Sequence, residues 1–272
     1  MPVGLRPRPW ARLMRVALGI EYDGTRFCGW QLQPGERTVQ GCVEEALARI
    51  ADHPVRVACA GRTDAGVHAL GQVVHFDTTA ERRPRSWVFG ANTHLPADVC
   101  VRWAQPVADD FHARFSAVRR HYRYVNFNSP VRPAVLAAGV AWDYRALDVA
   151  PMQAAAAHLL GRHDFSSYRA QACQAKSPVR TVQRLDVARR GDFVVLDIVA
   201  DAFLHHMVRN IAGVLMAIGA GEREPDWSRE VLEHRDRRLG GVNAVPAGLY
   251  FVGVEYPPHY GISYDPQRPL VW

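Results

Sequence analysis

Residues 57–76 read VACAGRTDAGVHALGQVVHF, and this stretch decides how the first half of the chain folds. Short apolar runs stand at both ends, at 57–60 and 72–76, and a segment punctuated by glycine separates them. The pattern predicts a strand, a loop and a second strand. Glycine at positions 61 and 66 lets the loop backbone take conformations that are closed to other residues, and it lets a large ligand come close.

The loop carries one carboxylate, Asp64, between the two glycines and two residues after Arg62. Residues two apart on an extended chain point to the same side, so we expect the guanidinium of Arg62 near the carboxylate. A neighbouring cation favours the ionised form, which can act as a nucleophile. Taken alone, such a loop is more often a polar turn held by an ion pair.

The hydrophobic pattern outward from this loop gives the order β-α-β-β-α-β twice. In the first half we predict strands at 15–22, 55–60, 72–77 and 99–105 and helices at 39–50 and 85–93. In the second half we predict strands at 121–128, 182–188, 193–200 and 249–256 and helices at 151–160 and 203–219. This is the split βαβ arrangement, an antiparallel sheet with both helices on one face.

We therefore predict an α+β fold with two split βαβ domains, at 1–108 and 109–272. Their antiparallel sheets would flank a central cleft between two open faces, which suits an elongated polyanion. The net charge of +6 permits an anionic partner such as RNA, and Lys176 is the only lysine among the basic residues. Arginine, which makes up the rest, suits phosphate contacts and base stacking.

The spacing of the cysteines and the hydropathy pattern predict a cytoplasmic protein that has no metal site and no membrane-spanning segment. The five cysteines are widely spaced, with no CxxC pair and no histidine at ligand spacing. The apolar run after the first arginines is too short for a secretory segment. The longest apolar segment, at 211–220, falls well short of the ~20 residues that a spanning helix needs.

The helix predicted at 203–219 has an apolar stripe, and His205, His206 and Arg209 fall on its opposite side. If that side faces the cleft, Arg209 is a second candidate cation for Asp64; the alternative is a solvated polar face. Adjacent histidines diverge by roughly 100° on a helix. We therefore expect His205 and His206 to contact RNA or to pack, and not to share a metal ion.

The segment 61–69 resembles the catalytic motif of the pseudouridine synthases, and its Thr63 and Val67-His68 resemble the TruA family of tRNA pseudouridine synthases. Similar segments run nearly end to end: Glu21-Tyr22-Asp23-Gly24, Gly29-Trp30-Gln31, Tyr122-Arg123-Tyr124, His205-His206-Met207-Val208-Arg209-Asn210 and Gly248-Leu249-Tyr250. The resemblance implies an isomerase without a cofactor. Its substrate would be uridine at positions 38, 39 and 40 in the anticodon stem-loop of tRNA, bound by a homodimer.

The resemblance also assigns roles to individual residues. Asp64 would be the covalent nucleophile, and Tyr122 would stack on the target base and take part in removing the C5 proton. That second role requires a lowered phenol pKa. Leu249 and Tyr250 would form an apolar wall of the uracil pocket. Phe251 stands where the family leads us to expect an aliphatic residue.

Several arginines are candidate phosphate contacts, and together they should make RNA binding strongly dependent on salt. They are Arg26, Arg114, Arg119, Arg120, Arg123 and Arg169, with the N-terminal cluster Arg6, Arg8, Arg12 and Arg15. Two other classes compete with the isomerase. A non-catalytic RRM-like RNA-binding module shares the fold but needs an RNP1 signature, which we do not find. A metal hydrolase would need clustered ligands.

Overall fold

The first half of the chain builds the elements in the predicted order. The computed structural model describes residues 13–263. The elements are β1 (Met14–Tyr22), α1 (Val39–Ala51), β2 (Ala58–Cys59), β3 (His68–Thr78), α2 (Pro84–His94) and β4 (Val99–Val107). Across the sheet, β1 lies between β4 and β3, and β2 pairs with β3. Helix α1 begins after Thr38, whose side chain accepts a hydrogen bond from the Gly41 amide.

The second half repeats this plan with a few additions. Its elements are β5 (Arg119–Asn128), β6 (Ala141–Asp143), α3 (Val149–Ala157), β7 (Gly161–Asp164), β8 (Val179–Arg190), β9 (Phe193–Ala200), α4 (Met207–Gly219), α5 (Trp227–His234) and β10 (Leu249–Glu255). The lateral order is β10-β5-β9-β8. In both halves the fourth, first, third and second strands of the motif therefore lie side by side, which confirms the duplicated split βαβ fold.

The two halves join edge to edge in one ten-stranded sheet. Strand β10 pairs in parallel with the start of β3, at His68 and Ala69, whereas the short β2 pairs with the same strand further along, at Val74 and His75. Because β2 covers only part of that edge, the remainder is open to pair with another strand. The domain division at 1–108 and 109–272 stays a prediction.

Side chains divide into two buried clusters on opposite faces of the sheet. The large cluster combines residues of helices α1 to α5 with Tyr122 and Tyr124 of β5. The small cluster consists of Val125, Val140, Tyr250 and Val252. Since alternate strand residues point to opposite faces, Tyr122 and Tyr124 face the helical side. None of the helices within residues 13–263 has the length and apolar character needed to cross a membrane.

Helix α4 begins later than predicted. His206 has a φ of 61°, in the left-handed region, so the helix starts only at Met207. His205 and His206 therefore precede the helix and do not lie on its polar face. This corrects the expectation that the two imidazoles diverge, because the helical spacing on which it rested does not apply to them.

Candidate active site

A cleft of about 1260 Å³ opens over the centre of the sheet. Its lining combines the loop after β2 with residues of α1, β5, β10 and the start of α4, so both halves contribute to it. Gln40 and Arg209 belong to helices, and Tyr122 belongs to the helical face. The predicted cleft between helix-free faces was therefore wrong in this detail: the helices of the two halves leave the middle of their own side uncovered.

Asp64 is the first residue of a tight turn at the edge of this cleft. The Val67 amide donates to the Asp64 carbonyl at 3.2 Å. Gly66, the third residue of the turn, has a φ of 76°. A positive φ at that position characterises a type II turn and favours glycine. The prediction that glycine shapes the loop is confirmed at Gly66.

The loop is tied to the first half at three points. The Gln72 side chain donates to the Gly61 carbonyl at 2.6 Å. The Trp30 amide donates to the Thr63 carbonyl at 3.0 Å. The hydroxyls of Thr63 and Tyr22 share a buried hydrogen bond of 2.7 Å. These contacts fix the backbone on which the Asp64 carboxylate stands, as a preorganised site requires.

Three basic side chains from the second half surround the Asp64 carboxylate. Nε2 of His205 lies 3.2 Å from Oδ1, while Nε2 of His206 and Nη1 of Arg209 lie 3.3 Å and 3.5 Å from Oδ2. Arg209 is thus the arginine that reaches the carboxylate. Arg62 lines the cleft but is exposed, and it is not among the ion pairs of Asp64 in the described chain. The expected ion pair between Arg62 and Asp64 is not found in the described chain, where the three other basic groups lie next to the two carboxylate oxygens.

Arg209 and His206 are held by the loop that precedes β10. Nε of Arg209 donates to the Ala244 carbonyl at 2.7 Å, and the Ala244 amide donates back to the Arg209 carbonyl at 3.1 Å. The Asn243 side chain lies 3.1 Å from Nδ1 of His206. Burial lowers the pKa of His206; the Asp64 charge opposes this, and His205 and Arg209 add to it.

Tyr122 lies on the floor of the cleft, packed between two phenylalanines. Its ring centroid is 4.9 Å from that of Phe203 and 4.9 Å from that of Phe251. Burial raises the pKa of the Tyr122 phenol, Tyr22 and Asp64 raise it further, and Arg120 opposes them. The lowered pKa that a general base needs is not found. Sequence reasoning missed Phe203 as a cleft residue; an aromatic side chain next to the His-His pair was the available signal.

The two residues predicted to form the wall of the uracil pocket point to opposite faces of the sheet. Leu249 lines the cleft. Tyr250, one residue later on β10, points to the other face, where it stacks on His68 at 4.7 Å and donates to the Gly139 carbonyl at 2.6 Å. Phe251 lies opposite Tyr122 in the strand register. The residue that departs from the family pattern therefore supports Tyr122, and Tyr250 does not reach the cleft.

The arginines predicted to contact phosphate differ in whether the side chain is exposed in the cleft or paired with a carboxylate. Arg114 is exposed and lines the cleft. Arg26 is exposed but pairs with Asp98 at 3.0 Å outside the cleft lining. Arg123 is buried on the opposite face from Tyr122 and makes two hydrogen bonds to Asp197, at 2.8 and 2.9 Å. The prediction that Arg123 contacts RNA is corrected, because its charge is already paired.

Arg120 and Arg15 both have partners within the protein. The guanidinium of Arg120 donates to the carbonyls of Ala60, Arg114 and Asp201, so it joins the loop after β2 to the second half instead of facing solvent. Arg15 pairs with Asp77 at 2.7 Å. The other arginines of the N-terminal cluster lie outside the described residues: Arg6, Arg8 and Arg12.

The chain is similar to a large group of known proteins. It matches the family described as tRNA pseudouridine synthase at residues 19–116 and 155–257. A chain in the crystal structure of a Cbf5–Nop10–Gar1 complex has 11% identity and a TM-score of 0.33, over 85% of this chain and 47% of that one. Similarity at that level supports no conclusion.

Three relatives are much more similar in sequence, and each is named tRNA pseudouridine synthase A. The Alcanivorax borkumensis protein is 57% identical over 259 residues, 95% of this chain and 97% of that protein. The Nitrosococcus oceani protein is 58% identical over 95% of this chain and 100% of its own length. The Vibrio cholerae protein is 55% identical over 94% and 97%. The relatives cover nearly the whole chain and carry the name of the matched family, which confirms the predicted resemblance: the chain belongs to the tRNA pseudouridine synthase family.

Proposed function

We propose that the chain converts uridine to pseudouridine at positions 38, 39 and 40 in the anticodon stem-loop of tRNA, in the cytoplasm. The isomerase class and the tRNA substrate come with the family. In this reaction the bond between N1 and C1′ breaks, C5 bonds to C1′, the C5 proton leaves and N1 gains a proton. Because no electrons are gained or lost, residues of the chain suffice in principle.

The arrangement around Asp64 carries the proposal that this residue is the covalent nucleophile. Its carboxylate stands on a fixed turn in the cleft and has a basic side chain near each oxygen. The two oxygens differ, because His206 and Arg209 pair with Oδ2, whereas His205, whose side chain is 41% exposed, pairs with Oδ1. Oδ1 loses least on turning to a substrate, so we assign the attack on the nucleotide to it.

The target base fits the apolar floor beside Asp64. Tyr122, Phe203 and Leu249 line the cleft there, and flat apolar surfaces suit a base that has been extruded from its stack. The raised pKa of Tyr122 supports a neutral phenol that packs on the base. We therefore keep the stacking role of Tyr122 and do not assign it the C5 proton.

RNA contacts would come from the rim of the cleft, where Arg62 and Arg114 are exposed. Guanidinium groups in such positions suit backbone phosphates. The resemblance to the family supports a homodimer in which one tRNA touches both subunits. Affinity should fall steeply as salt increases, since each phosphate contact releases counterions.

Substitution of the nucleophile tests the proposal. Asp64→Asn keeps the size of the side chain, and we expect turnover to fall by more than about 1000-fold while tRNA binding persists. The assay is tritium release from anticodon arms labelled at C5 of uridine. Asp192→Asn, at an exposed position in the β8–β9 turn, is the matched control.

Two results would count against the proposal. An Asp64→Asn enzyme that keeps a tenth of wild-type turnover would exclude Asp64 as the nucleophile. Tritium released from arms whose uridines at positions 38, 39 and 40 are all replaced by cytidine would move the substrate elsewhere in tRNA. Sedimentation of the free and tRNA-bound protein reports the oligomeric state separately.

A further inference from the structure

We propose that Asp64, His205 and His206 also form a binding site for Zn²⁺, and that zinc bound there blocks the enzyme reversibly. The inhibition rests on the proposed role of Asp64 as nucleophile, whereas the metal site stands on geometry alone. One carboxylate oxygen and one ring nitrogen of each histidine lie within 4.8 Å of one another, and Nε2 is the nitrogen that pairs with Asp64 in both. This inference departs from the sequence analysis, which predicted no metal ligands.

The separations bring the three ligands near the coordination geometry of zinc. A tetrahedral Zn²⁺ ion with ligand bonds of about 2.0–2.1 Å holds its ligand atoms about 3.3 Å apart. The nitrogen of His205 lies 3.2 Å from Oδ1 of Asp64 and that of His206 lies 3.3 Å from Oδ2, so each histidine is at this spacing from one of the two oxygens. A bound ion would draw the three ligand atoms, which lie within 4.8 Å of one another, closer together. Two imidazoles and one carboxylate are a common zinc ligand set, and they leave one position for water on the open side of the cleft.

The chemistry of the ligands selects the metal. Mg²⁺ prefers oxygen ligands in octahedral geometry, whereas imidazole suits zinc and its transition-metal neighbours. We therefore commit to Zn²⁺ as the occupant and use Mg²⁺ as the comparison ion. A second observation that supports the site is the contact between His206 and Asn243, which is not one of the three ligands.

Asn243 provides a hydrogen-bond partner that can adapt to a bound metal. Its amide nitrogen lies 3.1 Å from Nδ1 of His206, which leaves the ring proton on Nε2. The amide oxygen of Asn243 is buried and has no hydrogen-bond partner within the described chain. A half-turn of this amide would bring its oxygen to Nδ1. The ring proton would then sit on Nδ1, and Nε2 would be free to bind the metal.

This second arrangement is the one that metal-bound histidines usually show, with the other ring nitrogen donating to an oxygen. The proton moves from one ring nitrogen to the other, so the net protonation does not change. The half-turn gives the amide oxygen a donor in Nδ1–H, and the amide nitrogen moves to the place that the oxygen held.

Arg209 limits the affinity of the site. Its Nη1 lies 3.5 Å from Oδ2 of Asp64, so a divalent cation meets a positive charge next to one of its ligands. The site therefore suits a reversible inhibitor better than a permanent structural ion. Zinc and the nucleotide would compete for the same carboxylate, because an oxygen that holds a metal is not free to attack.

Zinc binding is tested first on the protein without RNA, by competition with a chromophoric chelator. We expect one Zn²⁺ per chain, with affinity reduced at least tenfold in Asp64→Asn, His205→Ala and His206→Asn. Asparagine is chosen at position 206 because it tolerates the left-handed backbone. His94→Ala, at an exposed histidine outside the cleft, should bind as the wild type does. Circular dichroism reports whether each variant is folded.

The Arg209→Gln variant gives the most discriminating test, because the substitution should tighten zinc binding while it slows turnover. Zinc should also inhibit tritium release, a chelator should restore it, and Mg²⁺ at the same concentration should not inhibit. Zinc that binds with equal affinity in all three ligand variants would overturn the site. If zinc binds through these residues while turnover continues at full occupancy, the metal site stands and Asp64 fails as the nucleophile.

Discussion

Two aspartates near the centre of the molecule each face histidine and arginine, yet they differ in how tightly they are held. Asp197 on β9 lies 2.6 Å from His121 and 2.8 Å from Arg123. The basic neighbours of Asp64 stand at 3.2 to 3.5 Å. The Asp197 side chain is 15% exposed and that of Asp64 is 26% exposed.

The difference arises from the part of the backbone that carries each aspartate, a strand for Asp197 and a turn for Asp64. Arg123 and Asp197 are direct partners in the β5–β9 register, so the sheet itself places them together. Asp64 stands on a turn, and its partners come from the start of α4 in the other half of the chain. The sheet pair is complete without a ligand, whereas the loop cluster has longer contacts that a substrate or a metal can replace. The first should govern stability and the second activity.

The largest effect is expected from the tightly held aspartate. Asp197→Asn removes the carboxylate charge that pairs with Arg123 in a buried place, which should lower the free energy of unfolding by about 3 kcal/mol. Turnover of the folded variant should stay near the wild-type value. Urea unfolding and tritium release measure the two quantities. Asp186→Asn, an exposed cross-strand neighbour, is the control and should change stability little.

A pH series sharpens the same result. Burial raises the pKa of Asp197, but hydrogen bonds from His121 and Arg123 outweigh it and hold the pKa below its usual value. A lowered folded-state pKa adds stability above the unfolded value, about 3.9, and that stability is lost as the pH falls through the folded value. The difference between wild type and Asp197→Asn should therefore be constant above about pH 5 and shrink below about pH 4. A constant difference down to pH 3 would contradict this account.

The loose cluster should show the reverse behaviour. Arg209→Gln removes the charge next to Asp64, and we expect turnover to fall about 100-fold, as when one preorganised electrostatic contact is lost. The matched variant Arg62→Gln should lower turnover by less than about threefold, because Arg62 does not reach the carboxylate in the described chain. Single-turnover kinetics separate these effects from RNA binding. Equal losses in the two variants would return Arg62 to the role that the sequence predicted.

The smallest expected effect concerns the anchor of the catalytic loop. Tyr22→Phe removes the hydrogen bond to Thr63, which should cost about 1 kcal/mol of stability and a few-fold of turnover. Tyr124→Phe is the control, since its hydroxyl donates to the Val245 carbonyl away from the loop. That variant should lose similar stability with less change in turnover. Thermal unfolding and tritium release together give the comparison.

Local patterns predicted the repeated secondary structure and the position of the catalytic loop. Hydrophobic periodicity is a property of neighbouring residues, so β1, α1, β9 and β10 lie close to their predicted bounds. Gly66 takes the positive φ that the turn requires. The edge-to-edge pairing of β3 with β10 could not be predicted, because it depends on how much of the β3 edge β2 leaves open.

Errors at the site came from side-chain partners that are distant in sequence. Arg123 and Arg120 looked like free charges until strand register and loop carbonyls showed what they bind. His206 was placed on a helix because its left-handed backbone has no signature in its residue type. Tyr250 points away from the cleft although Leu249 lines it, since a shift of one residue on a strand reverses the face.

The pairing of β3 with β10 also bears on how the protein is made. His68, which follows the Asp64 turn, donates from Nε2 to the Ala247 carbonyl, 179 residues further along the chain. Contacts this far apart form slowly and late in folding. During synthesis the Asp64 turn leaves the ribosome long before β10 does. A nascent chain can therefore hold Asp64 for most of translation without a finished cleft around it.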